Sequence, residues 1–360
     1  MRTILRIIIA LIFIASGFVK AVDAVGFSFK LEEYFSPSVF NMPIFEELAL
    51  PIAIFVVALE LILGFMLLLG IRLRTTLLSL IALCVFFAFL TFYSAYFNKV
   101  TDCGCFGDAI KFTPWQSFLK DIILLAGLII LWFLYRKDFR QLKTGKLSTI
   151  TLGVLAAVMA WVTVHGIRHE PVIDFRHYKI GTDINAERKK IDANPSVYKT
   201  FYSLKNKQTG EVLEINQDDF VSDKKYWEEG TPWEIQEDLT TTKMVQEGYA
   251  SEIVKFRIED ENGNDLVQQI LQAPNAVILF AYDPKNIDPQ IAAAAEAKIE
   301  AMPGTYILGV STDISTFRTL PAATMDGVAI KTIARSNPFV LVLQHGKITD
   351  KKSAKDFLND

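Results

Sequence analysis

Five long apolar stretches, all before residue 167, limit what this chain can fold into. They cover residues 4–22, 50–71, 75–97, 118–135 and 150–164. A helix needs about 20 mostly apolar residues to cross the hydrocarbon core of a membrane, so the stretches predict five transmembrane helices. Arg2 and Arg6, at the start of the first stretch, are also typical of a signal peptide, but the four stretches that follow favour a retained first helix.

The chain after residue 167 has the charge density of a water-soluble domain, and 360 residues suit two domains. The net charge is only −3 and there is no basic stripe, so we predict no nucleic-acid binding. The three cysteines, Cys84, Cys103 and Cys105, all precede residue 167, so no disulfide framework supports the soluble domain. His165 and His169 have a spacing that is more often incidental than metal-binding, and we predict no metal site.

Lysine and arginine in the short loops predict the orientation, because cytoplasmic loops are enriched in both. Three basic clusters flank the apolar stretches: Arg2 and Arg6; Arg72 and Arg74; and Arg136, Lys137, Arg140, Lys143 and Lys146. All three lie on one side if the N-terminus is cytoplasmic, and an odd number of spans then places the C-terminal domain on the other side. We therefore predict a multi-pass protein of the bacterial inner membrane with a periplasmic C-terminal domain.

Polar residues inside membrane spans are costly and often functional. Glu60 lies near the middle of the second span, Lys20 near the outer end of the first, and Asp23 just beyond it. If these two spans are antiparallel neighbours, Lys20 can reach towards Glu60. Three interpretations follow: a structural ion pair, a neutral Glu60 that is hydrogen-bonded within the bundle, or a proton or quinone site.

The predicted outer loop between the third and fourth spans contains Cys103 and Cys105, separated by one glycine. Two thiols this close can form a small, strained ring in an oxidising compartment, and strained exposed disulfides are the labile, catalytic kind. A structural disulfide is the second interpretation, and binding of a soft ion such as Cu(I) is the third. Cys84 lies within the third span and is predicted to be a small buried apolar residue.

The segment from Arg6 to Gly26, with Lys20 and Asp23 near its end, resembles the start of the DoxX and MauE-like membrane proteins. The span that contains Glu60 and the cysteine loop resemble the MauE-like members. The resemblance covers about residues 1–140. It implies a four-helix bundle linked to quinone or thiol redox chemistry, or to disulfide formation in exported partners. The whole layout resembles a Bacteroidota-type DoxX-family protein.

The first part of the soluble half is only weakly patterned. Alternating residues over 197–215, with Gln208-Thr209-Gly210 in the middle, predict a β-hairpin. Residues 216–245 are rich in charge and predict an irregular connection. Residues 253–258 then predict a strand.

The last part of the chain predicts alternating strands and helices, and hence an α/β sandwich. Buried strands are predicted at 276–282 and 305–310, a helix at 289–302, a short helix at 317–323, and two further strands within 338–348. This order resembles the thioredoxin-like fold of membrane-tethered thiol reductases and peroxiredoxins. The resemblance puts Asp283 and Asn286 where that family has two cysteines, and Pro338 where it has a cis-proline. It therefore implies a thioredoxin-like domain without redox thiols.

Four segments follow from these patterns. Residues 1–140 form a DoxX/MauE-like bundle, 141–167 a fifth transmembrane helix, 168–250 a linker and hairpin region, and 251–360 a periplasmic thioredoxin-like domain that lacks a Cys-x-x-Cys motif.

Two functions fit these segments. In the first, Cys103 and Cys105 exchange a disulfide with an exported or membrane-bound partner, and the bundle passes electrons to a quinone near Lys20 and Glu60. In the second, the protein is a non-catalytic, membrane-anchored subunit or assembly factor. Its thioredoxin-like domain then binds another envelope protein.

Overall fold

The computed structural model describes residues 1–97, 99–100, 107–110, 112–139, 145–246 and 248–360. The α-helices within these residues are α1 (Arg2–Val22), α2 (Ala24–Phe35), α3 (Pro43–Glu47), α4 (Ala49–Leu69), α5 (Leu73–Phe97), α6 (Pro114–Tyr135), α7 (Lys146–Arg168), α8 (Ile184–Ala193), α9 (Gln217–Ser222), α10 (Val267–Gln272), α11 (Pro289–Glu300), α12 (Gly327–Ile333) and α13 (Ala354–Asn359). The strands are β1 (Val197–Asn206), β2 (Val212–Asn216), β3 (Trp233–Ile235), β4 (Thr241–Gln246), β5 (Asn275–Ala281), β6 (Tyr306–Ser311), β7 (Ala322–Thr324), β8 (Phe339–Gln344) and β9 (Lys347–Ser353).

Five helices in the described part of the chain are long and apolar enough to cross a membrane, namely α1, α4, α5, α6 and α7. They coincide with the five apolar stretches of the sequence. The prediction of a multi-pass membrane protein is therefore confirmed. The helical membrane half followed by an α/β domain is the predicted fold class, and it is confirmed as well.

Helices α1 and α4 approach closely through two glycines. A Cβ atom added at Gly17 would lie 2.8 Å from Cγ of Leu61, and one added at Gly64 would lie 3.0 Å from Cγ1 of Ile14. Small residues at a helix contact allow two membrane helices to pack this tightly. The contact sets the antiparallel register in which Lys20, one turn after Gly17, lies opposite Glu60, one turn before Gly64.

The fifth span, α7, is peripheral to the bundle. It packs against α1 and α4, and its buried residues are only Thr163 and Gly166. Most of its apolar surface faces outward, as expected for a helix in contact with lipid. The core of the bundle is formed instead by leucine-rich faces of α1, α4, α5 and α6.

The loop that follows α1 forms a helix that the sequence analysis did not predict. Asp23 ends α1 and caps α2, because its Oδ1 accepts a hydrogen bond of 2.8 Å from the backbone N–H of Gly26. Such a cap satisfies a backbone donor that the first helical turn leaves free. Helix α2 then packs on α4 and faces the C-terminal domain at the same end of the bundle.

The opposite end of the bundle contains Arg2 and Arg6, the two basic residues near the start of α1. Arg2, at the start of α1, pairs with Asp138 just after α6, and its guanidinium lies 5.0 Å from the ring centroid of Tyr135. The Arg6 side chain lies against Gly70 at the end of α4. Arg2 and Arg6 therefore lie at the end of the bundle opposite the C-terminal domain.

The C-terminal domain is built on a sheet in the order β7-β6-β5-β8-β9. Strands β5, β6 and β7 are parallel, whereas β8 and β9 are antiparallel to their neighbours. Apolar residues cover both faces of the sheet, with α11 and α13 on one face and α10 and α12 on the other. This three-layer arrangement is consistent with the predicted thioredoxin-like fold.

Three local predictions in the soluble half differ from the structure. Residues 216–245 contain β3, β4 and α9, and β1, β2, β3 and β4 form a small antiparallel sheet, so this segment is more regular than predicted. The predicted strand at 253–258 begins with a 3₁₀ helix, Glu252–Lys255. The predicted helix at 317–323 is absent from the described structure, and its last residues belong to β7. These segments lack a strong apolar period, so their neighbours decide their conformation.

Candidate functional site

Lys20 and Glu60 form an ion pair inside the bundle. The Lys20 Nζ donates to Glu60 Oε2 at 2.7 Å and to Ser16 Oγ at 3.0 Å. Both charged side chains are only 2% exposed. The Nζ also lies 5.0 Å from the ring centroid of Phe87. The structure thus brings together two residues that lie 40 positions apart and that the sequence analysis proposed as a pair.

A second buried acid, Asp121 of α6, lies beside this pair and was missed by the sequence analysis. Its carboxylate accepts a hydrogen bond from Thr91 Oγ1 at 3.2 Å and pairs with Lys120 at 3.0 Å. Cys84 Sγ donates to the backbone carbonyl of Asp121 at 3.2 Å. An acid within an apolar stretch was the signal that identified Glu60, and the same signal was present here. Cys84 is 1% exposed, as predicted.

The two groups line a common cavity with a volume of about 10 Å³. This is about the space that one water molecule needs, and its walls include Lys20, Glu60 and Asp121. A quinone ring is much larger than a water molecule, so the cavity does not fit one. The arrangement can hold a proton or a water molecule between charged groups.

Asp23 belongs to a different group from Lys20 and Glu60. It lies at the C-terminal end of α1 and pairs with Arg335, which follows α12 by two residues. The Arg335 Nε lies 2.8 Å from Asp23 Oδ2. Arg335 also pairs with Asp108, and its side chain is only 7% exposed. A Cβ atom at Gly26 would lie 2.6 Å from Arg335 Nη2, so glycine makes room for this contact. Arg335 therefore joins the C-terminal domain to two segments of the membrane half.

The backbone at Arg335 and Ser336 is also fixed by hydrogen bonds to Glu170. Glu170 Oε1 accepts hydrogen bonds from the backbone N–H of Arg335 at 3.1 Å and of Ser336 at 3.0 Å. Glu170 also pairs with Arg176 at 2.7 Å. Burial opposes ionisation of Glu170, but the charges of Arg176 and Lys351 outweigh burial and lower the pKa of its carboxyl group. The carboxylate therefore stays ionised and keeps the loop in place.

Asp174 and Lys351 extend the network of charged groups formed by Glu170 and Arg176. Burial opposes ionisation of Asp174 too, yet the charges of Arg176 and Lys351 hold its pKa at about 2. Burial, assisted by the charge of Arg176, lowers the pKa of Lys351 to about 8. At neutral pH the network thus consists of charged groups with alternating signs, which favours a fixed geometry.

Asp283 and Asn286 lie close together at the end of β5, where the resemblance implied two cysteines. The Asn286 Nδ2 donates to Asp283 Oδ2 at 2.7 Å. Asn337 holds this region, because its Oδ1 accepts from the backbone N–H of Tyr282 at 3.0 Å and its Nδ2 donates to the Asp283 carbonyl at 2.8 Å. The Asn337–Pro338 peptide bond is cis. None of these groups can act as a thiolate.

Cys103 and Cys105 lie outside the described residues. The nearest described residues that follow them are Gly107 and Asp108. A Cβ atom at Gly107 would lie 3.3 Å from Cγ1 of Val19, one residue before Lys20. Gly107 therefore lies beside the C-terminal end of α1, and Asp108 contacts Arg335.

The two histidines near the end of α7 contact each other in a tilted arrangement, with 4.8 Å between the ring centroids of His165 and His169. His169 Nδ1 lies 2.8 Å from Asp356 Oδ1. The described residues contain no group of three or more histidine, cysteine, aspartate or glutamate side chains that could hold a metal ion.

Comparisons with known proteins identify the membrane half. Residues 1–134 match the family described as methylamine utilisation protein MauE. The predicted resemblance of this half to MauE-like proteins is confirmed.

One curated relative, Protein TlpB of Flavobacterium psychrophilum, is 31% identical over 144 residues, which cover 37% of this chain and 36% of the relative. The chain thus matches only about a third of the length of this relative. No solved structure matches the chain.

Proposed function

We propose that the protein is a membrane-embedded thiol–disulfide exchange protein of the bacterial cell envelope. Cys103 and Cys105 are the reactive pair, and the C-terminal domain positions an exported partner. The contact between Arg335 and Asp108 carries this proposal, because it joins the C-terminal domain to the residue three positions after Cys105. A domain without thiols of its own is thereby tied to the segment that contains two.

The proposed reaction is a disulfide exchange. A partner thiolate attacks one sulfur of the Cys103–Cys105 disulfide, which forms a mixed disulfide and releases the other cysteine as a thiolate. A second partner thiolate then attacks the mixed disulfide and releases the remaining cysteine. The partner loses two electrons and becomes a disulfide, while Cys103 and Cys105 gain two electrons and, with two protons, become thiols. Exchange with a disulfide carrier of the same compartment reverses the change.

The proposed location is the inner membrane, with the N-terminus in the cytoplasm and the C-terminal domain in the periplasm. Basic residues are enriched in cytoplasmic loops, and Arg2 and Arg6 lie at the end of the bundle opposite the C-terminal domain. The periplasm is oxidising, which a reactive disulfide requires. No step is assigned to a quinone, because the cavity beside Lys20 and Glu60 has room for about one water molecule.

A second candidate function is that of a non-catalytic subunit or assembly factor. Asp283 and Asn286 bond to each other at the positions where the resemblance implied cysteines. A protein-binding domain on a membrane anchor needs no thiols. In this case the Cys103–Cys105 pair is only a structural disulfide.

The test compares the double variant Cys103→Ser and Cys105→Ser with a matched control, Cys84→Ala, in which a buried thiol within the bundle is removed. Thiols are alkylated in intact cells after acid quenching, and the redox states of exported proteins and of the pair itself are measured. We expect exported partners to accumulate as reduced dithiols in the double variant, because the pair no longer oxidises them, and their redox state to stay unchanged in the control.

Two results would contradict the exchange function. The first is a Cys103–Cys105 pair that stays oxidised under every condition that changes other envelope thiols. The second is an unchanged thiol state of exported proteins in the double variant together with a growth defect on deletion of residues 196–360. That combination favours the assembly-factor function.

A further inference from the structure

A cleft of about 490 Å³ separates the outer end of the bundle from the C-terminal domain. Its volume lies within the range of ligand sites in proteins. Phe29 and Glu32 of α2 form one wall, and Val328 and Lys331 of α12 form the other. Phe175, in the segment after α7, adds a second aromatic ring. Neither half of the molecule forms the cleft alone.

One end of the cleft reaches the flank of the cysteine loop. Asp108 and Arg335 both line it. Asp108 is three positions after Cys105 in the sequence. A molecule that occupies the cleft therefore lies against a residue that is close in sequence to the proposed reactive pair.

The acidic and basic side chains that line the cleft are equal in number. Five acidic and five basic side chains line the cleft in the described structure. Several are paired with each other: Lys331 with Glu32 at 3.0 Å, and Lys255 with Glu252 at 2.6 Å. Because neither sign is in excess, the cleft does not select a strongly anionic or cationic ligand.

The aromatic groups favour an apolar side chain within an otherwise polar ligand. Phe29 packs edge-to-face on Tyr282 with 5.5 Å between ring centroids, and Lys331 Nζ lies 4.2 Å from the centroid of Phe29. Two aromatic rings in the lining, Phe29 and Phe175, bordered by charged groups of both signs, suit the side chains and backbone of an extended polypeptide.

We propose that this cleft binds an extended polypeptide segment with an apolar side chain beside its cysteine, and presents that cysteine to Cys103 and Cys105. The inference rests on the proposed function and adds the site of partner binding. A small dithiol reaches the cysteines without using the cleft, whereas a polypeptide depends on it. This difference makes the cleft testable.

The test variant is Val328→Trp, which adds a large ring to a wall of the cleft without removing a hydrogen bond or an ion pair. Val328 is 65% exposed on the short helix α12. Val221→Trp is the matched control, because Val221 is 61% exposed on the short helix α9 and does not line the cleft. Both variants of the full-length protein are purified in detergent.

Two reductants are compared for their rates of reduction of the Cys103–Cys105 disulfide. One is a short, unstructured peptide with a cysteine pair beside phenylalanine, and the other is dithiothreitol. We expect Val328→Trp to raise the peptide concentration at half-maximal rate about tenfold or more, a change worth about 1.4 kcal/mol. The limiting rate, the dithiothreitol rate and the behaviour of Val221→Trp should stay unchanged.

A second measurement is independent of redox chemistry. The same peptide with serine in place of cysteine, labelled with a fluorophore, is bound to the variant that lacks Cys103 and Cys105. Its affinity should fall about tenfold in Val328→Trp and stay constant in Val221→Trp.

The two possible failures can be distinguished. If neither reductant reacts with the pair, the proposed function is wrong, and the serine peptide alone decides whether the cleft binds polypeptide. If both reductants react and Val328→Trp behaves like Val221→Trp in both assays, the cleft is not the binding site, although the exchange function stands.

Discussion

Lys20 and Glu60 present the main energetic problem at the scale of single residues. Each charge must leave water to enter the bundle, which costs several kcal/mol per ion even after relaxation. A distance of 2.7 Å and the hydrogen bond to Ser16 offset part of that cost. The pair is therefore tolerated only as a unit, because either partner alone would be a buried charge without compensation.

Substitutions of the pair should be strongly non-additive. We expect Lys20→Met alone to lower the free energy of unfolding in detergent by roughly 3–5 kcal/mol, because Glu60 loses its partner. Adding Glu60→Gln should restore most of that loss. Lys30→Met serves as the control, because Lys30 is partly exposed and pairs with Glu33 at 3.4 Å, so its removal should cost less than about 1 kcal/mol.

Denaturation of the unsubstituted protein, of Lys20→Met, of Glu60→Gln and of the double variant measures this coupling, and Lys30→Met is denatured as the control. Equal losses of unfolding free energy in Lys20→Met and in the double variant would show that the charge of Glu60 does not depend on Lys20 for compensation. A double variant that is stable but inactive in the exchange assay would give the pair a chemical role beyond structure.

At the scale of elements, helices α2 and α12 form the contact between the two halves. Lys331 reaches from α12 to Glu32 of α2, and Arg335 reaches Asp23 and Asp108. Partly buried ion pairs with hydrogen bonds are stronger than exposed ones. The side of the C-terminal domain that contains Arg335 and Asn337 is thereby turned towards the bundle.

Replacing Arg335 should loosen this contact without unfolding either half. In Arg335→Met, two carboxylates lose their shared partner, and we expect amide hydrogen exchange in α2 to accelerate about tenfold or more. Exchange in β5 and α4 should not change. Arg257→Met is the control, because Arg257 is exposed and pairs with Glu259 near the surface.

Hydrogen exchange followed by mass spectrometry separates these segments. If α2 exchanges at the same rate in Arg335→Met and in the unsubstituted protein, then other contacts hold the two halves together and Arg335 is not the residue that docks them.

At the scale of the whole molecule, the structure has two chemically different ends. One end of the bundle gathers Arg2, Arg6 and Asp138, and the other contacts the C-terminal domain. The transmembrane helices connect the two ends, so the orientation of one determines the other. The proposed periplasmic site requires the basic end to face the cytoplasm.

Reporter fusions test that orientation directly. Alkaline phosphatase fused after Asp360 should be active, because it folds only in an oxidising compartment, whereas the same reporter fused after Phe139 should be inactive. A fluorescent protein that fails to fold after export should give the opposite pattern at both sites. The reverse result at both sites would invert the proposed topology and remove the oxidising environment that the cysteine pair needs.

Several features of this protein could be derived from local sequence alone. The five spans follow from apolar length, since a membrane requires every backbone group to bond within its own helix. The strands β5 and β6 and the helix α11 follow from short apolar runs and an alanine-rich period. The approach of Lys20 to Glu60 followed only on the condition that the first two spans are antiparallel neighbours, because a charge within an apolar helix is costly without a partner.

Other features were decided only by tertiary structure. Asp23 and Arg335 are 312 positions apart, and neither residue carries a local sign of its partner. Asp121 accepts its hydrogen bond from Thr91 only because α5 and α6 pack side by side. The small sheet of β1, β2, β3 and β4 forms from segments without a strong apolar period. The period and length of an apolar stretch determine the structure of a single helix or strand. An ion pair or a cleft between distant segments depends instead on how folded elements pack against each other. That is why the spans could be predicted from the sequence, and the contact between the two halves could not.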